Sequence, residues 1–156
     1  MKIFIVAGGT GGHVYPALSV AREFKKNTAK IFWVGRQKSL EEDVAKEENF
    51  NFLPLYVSGF LGKKISGKIR AVFNLCFAFI KSLALLIKFK PDVIFSTGGY
   101  ISLPVGLAAP FLRIPLFIHE QNSVAGLSNR ILNIISKATF EGFPDTFKTT
   151  NKTKFV

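Results

Sequence analysis

The sequence predicts an α/β fold built on a doubly wound parallel sheet. Three observations carry that reading. Short runs rich in β-branched and aromatic residues alternate with longer helical patterns. These runs are apolar throughout, as expected for strands buried on both faces. Glycine-rich turns follow the carboxyl ends of two of them, where such a sheet presents its ligand-binding loops.

The elements follow in order. Strands are expected at "KIFIVA" (2–7), "KIFWVG" (30–35), "FLPLYV" (52–57), "DVIFS" (92–96), "PLFIH" (115–119) and "ATF" (138–140). Helices are expected between them at 14–27, 39–48, 69–89, 103–112 and 123–136. Ser39 and Glu42 have the spacing of a capping box for the second helix. Right-handed crossovers then give a Rossmann-like sheet with helices on both faces. One domain fills residues 1–156, and the polar, turn-rich stretch 141–156 reads as a linker leading onward.

Composition narrows the function classes. Lysine and arginine outnumber acidic residues to give a net charge of +11 in 156 residues. No acidic residue falls between Glu48 and Asp92, where seven basic ones do: Lys63, Lys64, Lys68, Arg70, Lys81, Lys88 and Lys90. Such a balance suits anionic partners. The aromatic residues sit in apolar runs and no nucleic-acid motif accompanies the charge, so a membrane surface or a phosphorylated ligand is expected and nucleic acid is not. The lone Cys76 is expected as a packed core thiol in a reducing compartment. "MKIFIVAGG" has too short an apolar stretch for a signal peptide, which points to a cytosolic protein.

Three loops carry chemistry. "GGTGGH" follows the first strand, and its glycines let backbone N–H groups approach a phosphate unobstructed at a helix N-terminus. It is neither the dinucleotide fingerprint, since Val14 stands where the third glycine belongs, nor a Walker loop. His13 is the loop's only group able to move a proton near neutral pH. "STGGYIS" (96–102) is a second glycine turn, and two on one sheet edge suggest a shared anionic ligand. "HEQNS" (119–123) is either a solvated turn with Ser123 as N-cap or a pocket for sugar hydroxyls. It lacks metal-ligand spacing.

Together "GGTGGHVYPALSVA", "STGGYISLPVGLAA" and "IHEQNSVAGLSNRIL" closely resemble the N-terminal half of the MurG family, over essentially the whole chain. These are bacterial N-acetylglucosaminyltransferases acting on undecaprenyl-pyrophosphoryl-N-acetylmuramyl-pentapeptide in peptidoglycan synthesis. The resemblance implies the acceptor-side domain of a two-domain GT-B glycosyltransferase on the inner face of the cell membrane. It implies UDP-GlcNAc as donor, the lipid-linked muramyl-pentapeptide as acceptor, and no cofactor or metal. It makes His13 the expected general base, with Glu120 a rival or an orienting partner. Thr10, Gly11 and Gly12 match a loop that touches the donor. Gly98, Gly99 and Tyr100 match one that helps hold the acceptor's pyrophosphate. Asn122 matches a donor-contacting asparagine, and His119 and Asn129 match further polar positions of the motif. The family's C-terminal domain, with most of the donor site, has no counterpart here, so weak or no activity is expected of this chain alone.

In the run 70–90, Arg70, Asn74, Lys81 and Lys88 form one stripe and nearly everything else is apolar, with Lys81 and Ser82 interrupting it as a transmembrane span. It is expected to pack one side on the sheet and to offer the other, extended by Phe60, Leu61, Lys63, Lys64 and Lys68, to an anionic membrane surface. Two rival readings follow. One is a non-catalytic membrane-binding module. The other is an NADP-binding domain, with Arg36 taking the 2′-phosphate.

Overall fold

The computed structural model describes residues 1–57, 65–147 and 152–156, with residues 65–70 described by backbone alone. Seven strands form one parallel sheet in the order β3-β2-β1-β4-β5-β6-β7. In chain order the elements are β1 (Lys2–Ala7), α1 (Gly11–Lys26), β2 (Lys30–Gly35), α2 (Leu40–Glu47), β3 (Asn51–Pro54) and α3 (Ile65–Phe89). Then come β4 (Val93–Gly98), α4 (Ser102–Ala108), a 3₁₀ turn (Ala109–Leu112), β5 (Leu116–Glu120), α5 (Leu127–Ile135), β6 (Ala138–Glu141) and β7 (Thr153–Phe155).

Continuous apolar strands become strands covered on both sides. Along β1, Ile3, Ile5 and Ala7 face a core shared with Val14, Ala17 and Leu18 of α1. Phe4 and Val6 face the opposite core, with Leu86 of α3 and Val105 of α4. Each such side chain contributes about 1.5–3 kcal/mol by leaving water. The chain winds outward from β1 to β3 and returns to β4 on the other side of β1. That reversal opens a crevice at the carboxyl ends of β1 and β4, where both glycine loops begin. A register shift between Val6 and Ala7 pairs Ala7 with Gly98 and brings the two loops together.

Several boundaries differ from expectation for local reasons. α1 begins at Gly11, so His13 lies inside its first turn. β3 ends at Pro54, and the Leu55 N–H makes one further bond to β2, donating to the Gly35 carbonyl at 2.8 Å. Pro110 likewise converts the end of the fourth expected helix into the 3₁₀ turn. α5 starts at Leu127 with Gly126, not Ser123, at the N-cap. Ser39 stands at the N-cap position of α2, but the expected capping box does not form: its hydroxyl donates to the Arg36 carbonyl and makes no cap hydrogen bond, and Glu42 accepts from the Lys38 N–H at 2.6 Å. Within the stretch expected as a linker, Thr153–Phe155 forms β7 and pairs with β6.

Cys76 is exposed, a correction to the expected core thiol. It lies on the outer side of α3, whose inner side carries Ala71, Ala78, Ser82 and Leu86. The outer side exposes Val72, Phe73, Phe77, Ile80 and Ile87, and Phe111 of the 3₁₀ turn stands near them, edge-on to Phe79. Ala71–Phe89 has the length and mean hydropathy, 1.9, of a membrane-crossing helix, with 17% of it buried. Phe60, Leu61, Lys63 and Lys64, and the side chains of Lys68 and Arg70, lie outside the described residues.

Candidate active site

A cleft of about 290 Å³ opens beyond the carboxyl ends of β4 and β5, lined by His13, Gly98, Gly99, Tyr100, Glu120 and the turn Gly126–Asn129. Three sequence-predicted loops therefore meet at one place. Gly98 and Gly99 adopt φ of +103° and +86°, a region that excludes most side chains.

The first turn of α1 is closed by the Thr10 carbonyl, which accepts from the N–H groups of His13 and Val14 at 3.0 and 3.1 Å. The N–H groups of Gly11 and Gly12 have no acceptor among the described residues, as expected at a helix start. His13 is held from two sides. Its carbonyl accepts from the Thr97 hydroxyl at 2.7 Å, and its ring Nδ1 lies 2.8 Å from the Thr97 carbonyl. A carbonyl only accepts, so Nδ1 carries the ring proton and Nε2 keeps its lone pair. Gln121 also reaches Nδ1, at 2.7 Å. Within "HEQNS", expected as a turn or a sugar-hydroxyl pocket, Gln121 thus meets a histidine 108 residues away, a pairing that local sequence does not reveal.

Glu120 is fully buried at the end of β5. Its Oε1 accepts from the backbone and side-chain N–H of Asn122 at 3.1 and 2.8 Å. Its Oε2 accepts from the Gly126 N–H and from Asn129 Nδ2, both at 3.0 Å. Four donors from three residues thus bind one carboxylate, which ties β5 to the start of α5. Asn129 also donates to the His119 carbonyl at 3.1 Å, and its own Oδ1, beside Gly98, is buried without a partner among the described residues.

The His119 ring does not enter the cleft. Strand alternation turns it to the other sheet face, into an apolar groove of about 690 Å³ with Phe95, Phe117 and Phe140. Burial there pushes its pKa below the ordinary 6.5, against the weaker upward pull of the Gln121 amide and the Glu120 carboxylate.

Glu41 is a residue that sequence reasoning missed. It is 2% exposed, and Oε1 accepts from the Gly9 N–H at 3.3 Å. Its side chain fills space that two glycines leave. A Cβ on Gly8 would come within 2.6 Å of Oε1, and one on Gly35 within 2.7 Å of Cγ. Only the spatial meeting of α2, β2 and the first glycine loop reveals this. Arg36 lines a small pocket with Gly8, Gly9, Glu41 and Tyr100. Among the described residues no group of three or more His, Cys, Asp or Glu could hold a metal ion.

The family described as "Glycosyltransferase family 28 N-terminal domain" matches residues 3–141. The chain belongs to this family. The family 28 domain here is 42% identical, over 94% of the chain, to UDP-N-acetylglucosamine--N-acetylmuramyl-(pentapeptide) pyrophosphoryl-undecaprenol N-acetylglucosamine transferase of Vesicomyosocius okutanii. It is equally identical, over 97% of the chain, to the Coxiella burnetii protein of the same name. It covers 43% and 42% of those proteins, so it spans about two fifths of the length of the curated relatives it matches. Among solved structures, Acinetobacter baumannii MurG superposes with a TM-score of 0.88 at 33% identity, over 99% of this chain and 45% of that one. The Streptomyces glycosyltransferase SsfS6 superposes at 0.70 with 14% identity, over 99% of this chain and 53% of that one, a likeness of fold alone. The architecture is thus the N-terminal domain of a GT-B glycosyltransferase.

Proposed function

We propose that this chain forms the acceptor-side half of an inverting transferase. It moves GlcNAc from UDP-GlcNAc to the C4 hydroxyl of undecaprenyl-pyrophosphoryl-MurNAc-pentapeptide. The observation that carries the reading is His13, anchored through Nδ1 at 2.8 Å to the Thr97 carbonyl inside a cleft between two glycine turns.

In this mechanism Nε2 of His13 takes the C4 proton as the oxygen attacks the anomeric carbon from the face opposite the nucleotide. The new C–O bond forms while the bond to UDP breaks and UDP leaves with the electron pair. Glu120 acts as an orienting group, since its oxygens already accept four N–H donors. The turn at Gly98, Gly99 and Tyr100 directs backbone N–H groups at the acceptor's pyrophosphate. Thr10, Gly11, Gly12 and Asn122 face the donor, and Asn129 holds the loop that His119 and Glu120 begin. The rest of the donor site belongs to a second domain like that of the longer relatives. Holding both reactants is most of the catalytic task, so this half alone is inactive or weak.

The exposed stripe of α3, Phe73, Phe77 and Ile80 with Lys81 and Lys88 near it, attaches the domain to an anionic membrane on its cytoplasmic side. The same stripe favours the second reading, a membrane-binding module without catalysis.

The test is His13→Ala in a two-domain protein reconstituted with the C-terminal half of a relative. Turnover should fall about 10²- to 10⁴-fold, the range for a general base, with UDP-GlcNAc binding unchanged. Near-wild-type turnover would remove His13 from the chemistry. Binding of NADPH without UDP-GlcNAc would favour a redox domain instead.

A further inference from the structure

Two acceptor-side facts and two orphaned atoms meet at Gln121. The Thr97 carbonyl, 2.8 Å from His13 Nδ1, requires a proton on that nitrogen. The Gln121 amide nitrogen lies 2.7 Å from the same atom, which would oppose one donor to another. Meanwhile Gln121 Oε1 and His119 Nδ1 are both buried without a partner among the described residues. Gln121 follows His119 by two residues at the end of β5, a spacing that puts the two side chains on one side of the sheet. A half-turn of the amide exchanges its oxygen and nitrogen without moving any other atom. It removes the opposed donors, gives the Gln121 oxygen His13 Nδ1–H as a partner and frees the NH₂ for the unpartnered His119 Nδ1.

We propose that Gln121 is a positioning residue that orders the protons of two imidazoles on the sheet face that α1 covers: its oxygen accepts from His13 Nδ1–H beside the Thr97 carbonyl, and its NH₂ donates to His119 Nδ1. The proposal deepens the reading of His13 as the base and rests on it for its consequence. His13 then has its proton on Nδ1 and its lone pair on Nε2 toward the cleft. When Nε2 takes the acceptor's proton, the imidazolium that forms keeps Nδ1–H between two oxygens, which stabilises the charge as it develops. His119 takes the opposite tautomer, with its proton on Nε2. Its neutral ring suits the apolar groove it occupies.

The first test needs no turnover. Long-range ¹H–¹⁵N correlation spectra of the 156-residue chain should show the proton of His13 on Nδ1 and that of His119 on Nε2. Gln121→Glu keeps an oxygen toward His13 but has no donor for His119. It should leave the His13 tautomer unchanged and move the His119 proton to Nδ1, with a cooperative melting transition retained. A wild-type His13 protonated on Nε2, or a His119 tautomer that ignores Gln121→Glu, overturns the proposal. In the reconstituted two-domain protein, Gln121→Leu should lower kcat roughly tenfold, the cost of one hydrogen bond to a developing cation, with the acceptor KM within about twofold. A raised KM with kcat intact contradicts it. If the wild-type pair transfers nothing, the transferase reading fails, and the tautomers still decide the role of Gln121.

Discussion

Gly99 lies so close to Gly8 that a Cβ on it would come within 2.3 Å of the Gly8 carbonyl oxygen. The two glycine loops, 91 positions apart in the chain, are thus packed backbone against backbone. Gly99→Ala would meet both that carbonyl and a φ of +86°, and should cost at least about 2 kcal/mol in urea unfolding. Gly12→Ala is the control, because its nearest neighbour would be Thr10 Oγ1 at 3.6 Å. It should change stability by no more than about 0.5 kcal/mol while crowding the loop that faces ligand. Equal stability losses in the two variants would refute the close approach.

Glu41 supplies a second test of loop geometry. Gly8→Ala places a methyl 2.6 Å from Glu41 Oε1 and 3.2 Å from Ile101 Cγ2, so it should destabilise the chain. Glu41→Ala removes the first obstacle and the Gly9 bond together. The double variant should therefore be more stable than the sum of the single losses predicts, by about 0.5–3 kcal/mol. Strict additivity in urea titrations would mean that the two groups do not share this space.

His119 makes stability depend on pH. Burial lowers its folded-state pKa below 6.5, so between the folded and unfolded values the unfolded chain binds more protons. Stability therefore rises with pH through that window, and is lost as pH falls below about 6.5. His119→Phe should flatten this part of the profile, whatever its constant cost to the Gln121 contact. An unchanged slope between about pH 6.5 and 5 would show that another group is responsible.

The proposed membrane attachment rests on the exposed side of α3. Phe73, Phe77 and Ile80 are 71%, 70% and 64% exposed on one side of the helix. Replacing all three by serine should weaken binding to phosphatidylglycerol vesicles at least about tenfold, given the apolar area involved, and leave the fold intact. Raised salt should weaken the wild type through its lysines. Vesicle affinity unaffected by the triple change would place attachment elsewhere.

The sheet was legible because its strands are apolar on both faces, a pattern that "KIFIVA" and "KIFWVG" carry without help from the rest of the chain. The cleft was legible in outline because doubly wound sheets bind at the switch point, and "GGTGGH" and "STGGY" fall there. What escaped depended on distance. β7 has three residues and acquires meaning only by pairing with β6. Glu41 looks like an ordinary first-turn acid until Gly8 and Gly35 close around it. Cys76 was misjudged because an apolar helix does not announce which of its sides meets the sheet. Glu120 and His119 part company through strand alternation, which sends adjacent side chains to opposite faces, one to the cleft and one to the groove.

As the proposed acceptor-side half of a glycosyltransferase, this chain should be assayed for transfer of labelled GlcNAc from UDP-GlcNAc to a lipid-linked muramyl-pentapeptide, alone and then mixed with a separately expressed C-terminal half of a relative. Little or no product is expected from the chain alone and clear transfer from the mixture. Folded halves that yield no product together would contradict it and bring the membrane-binding module forward.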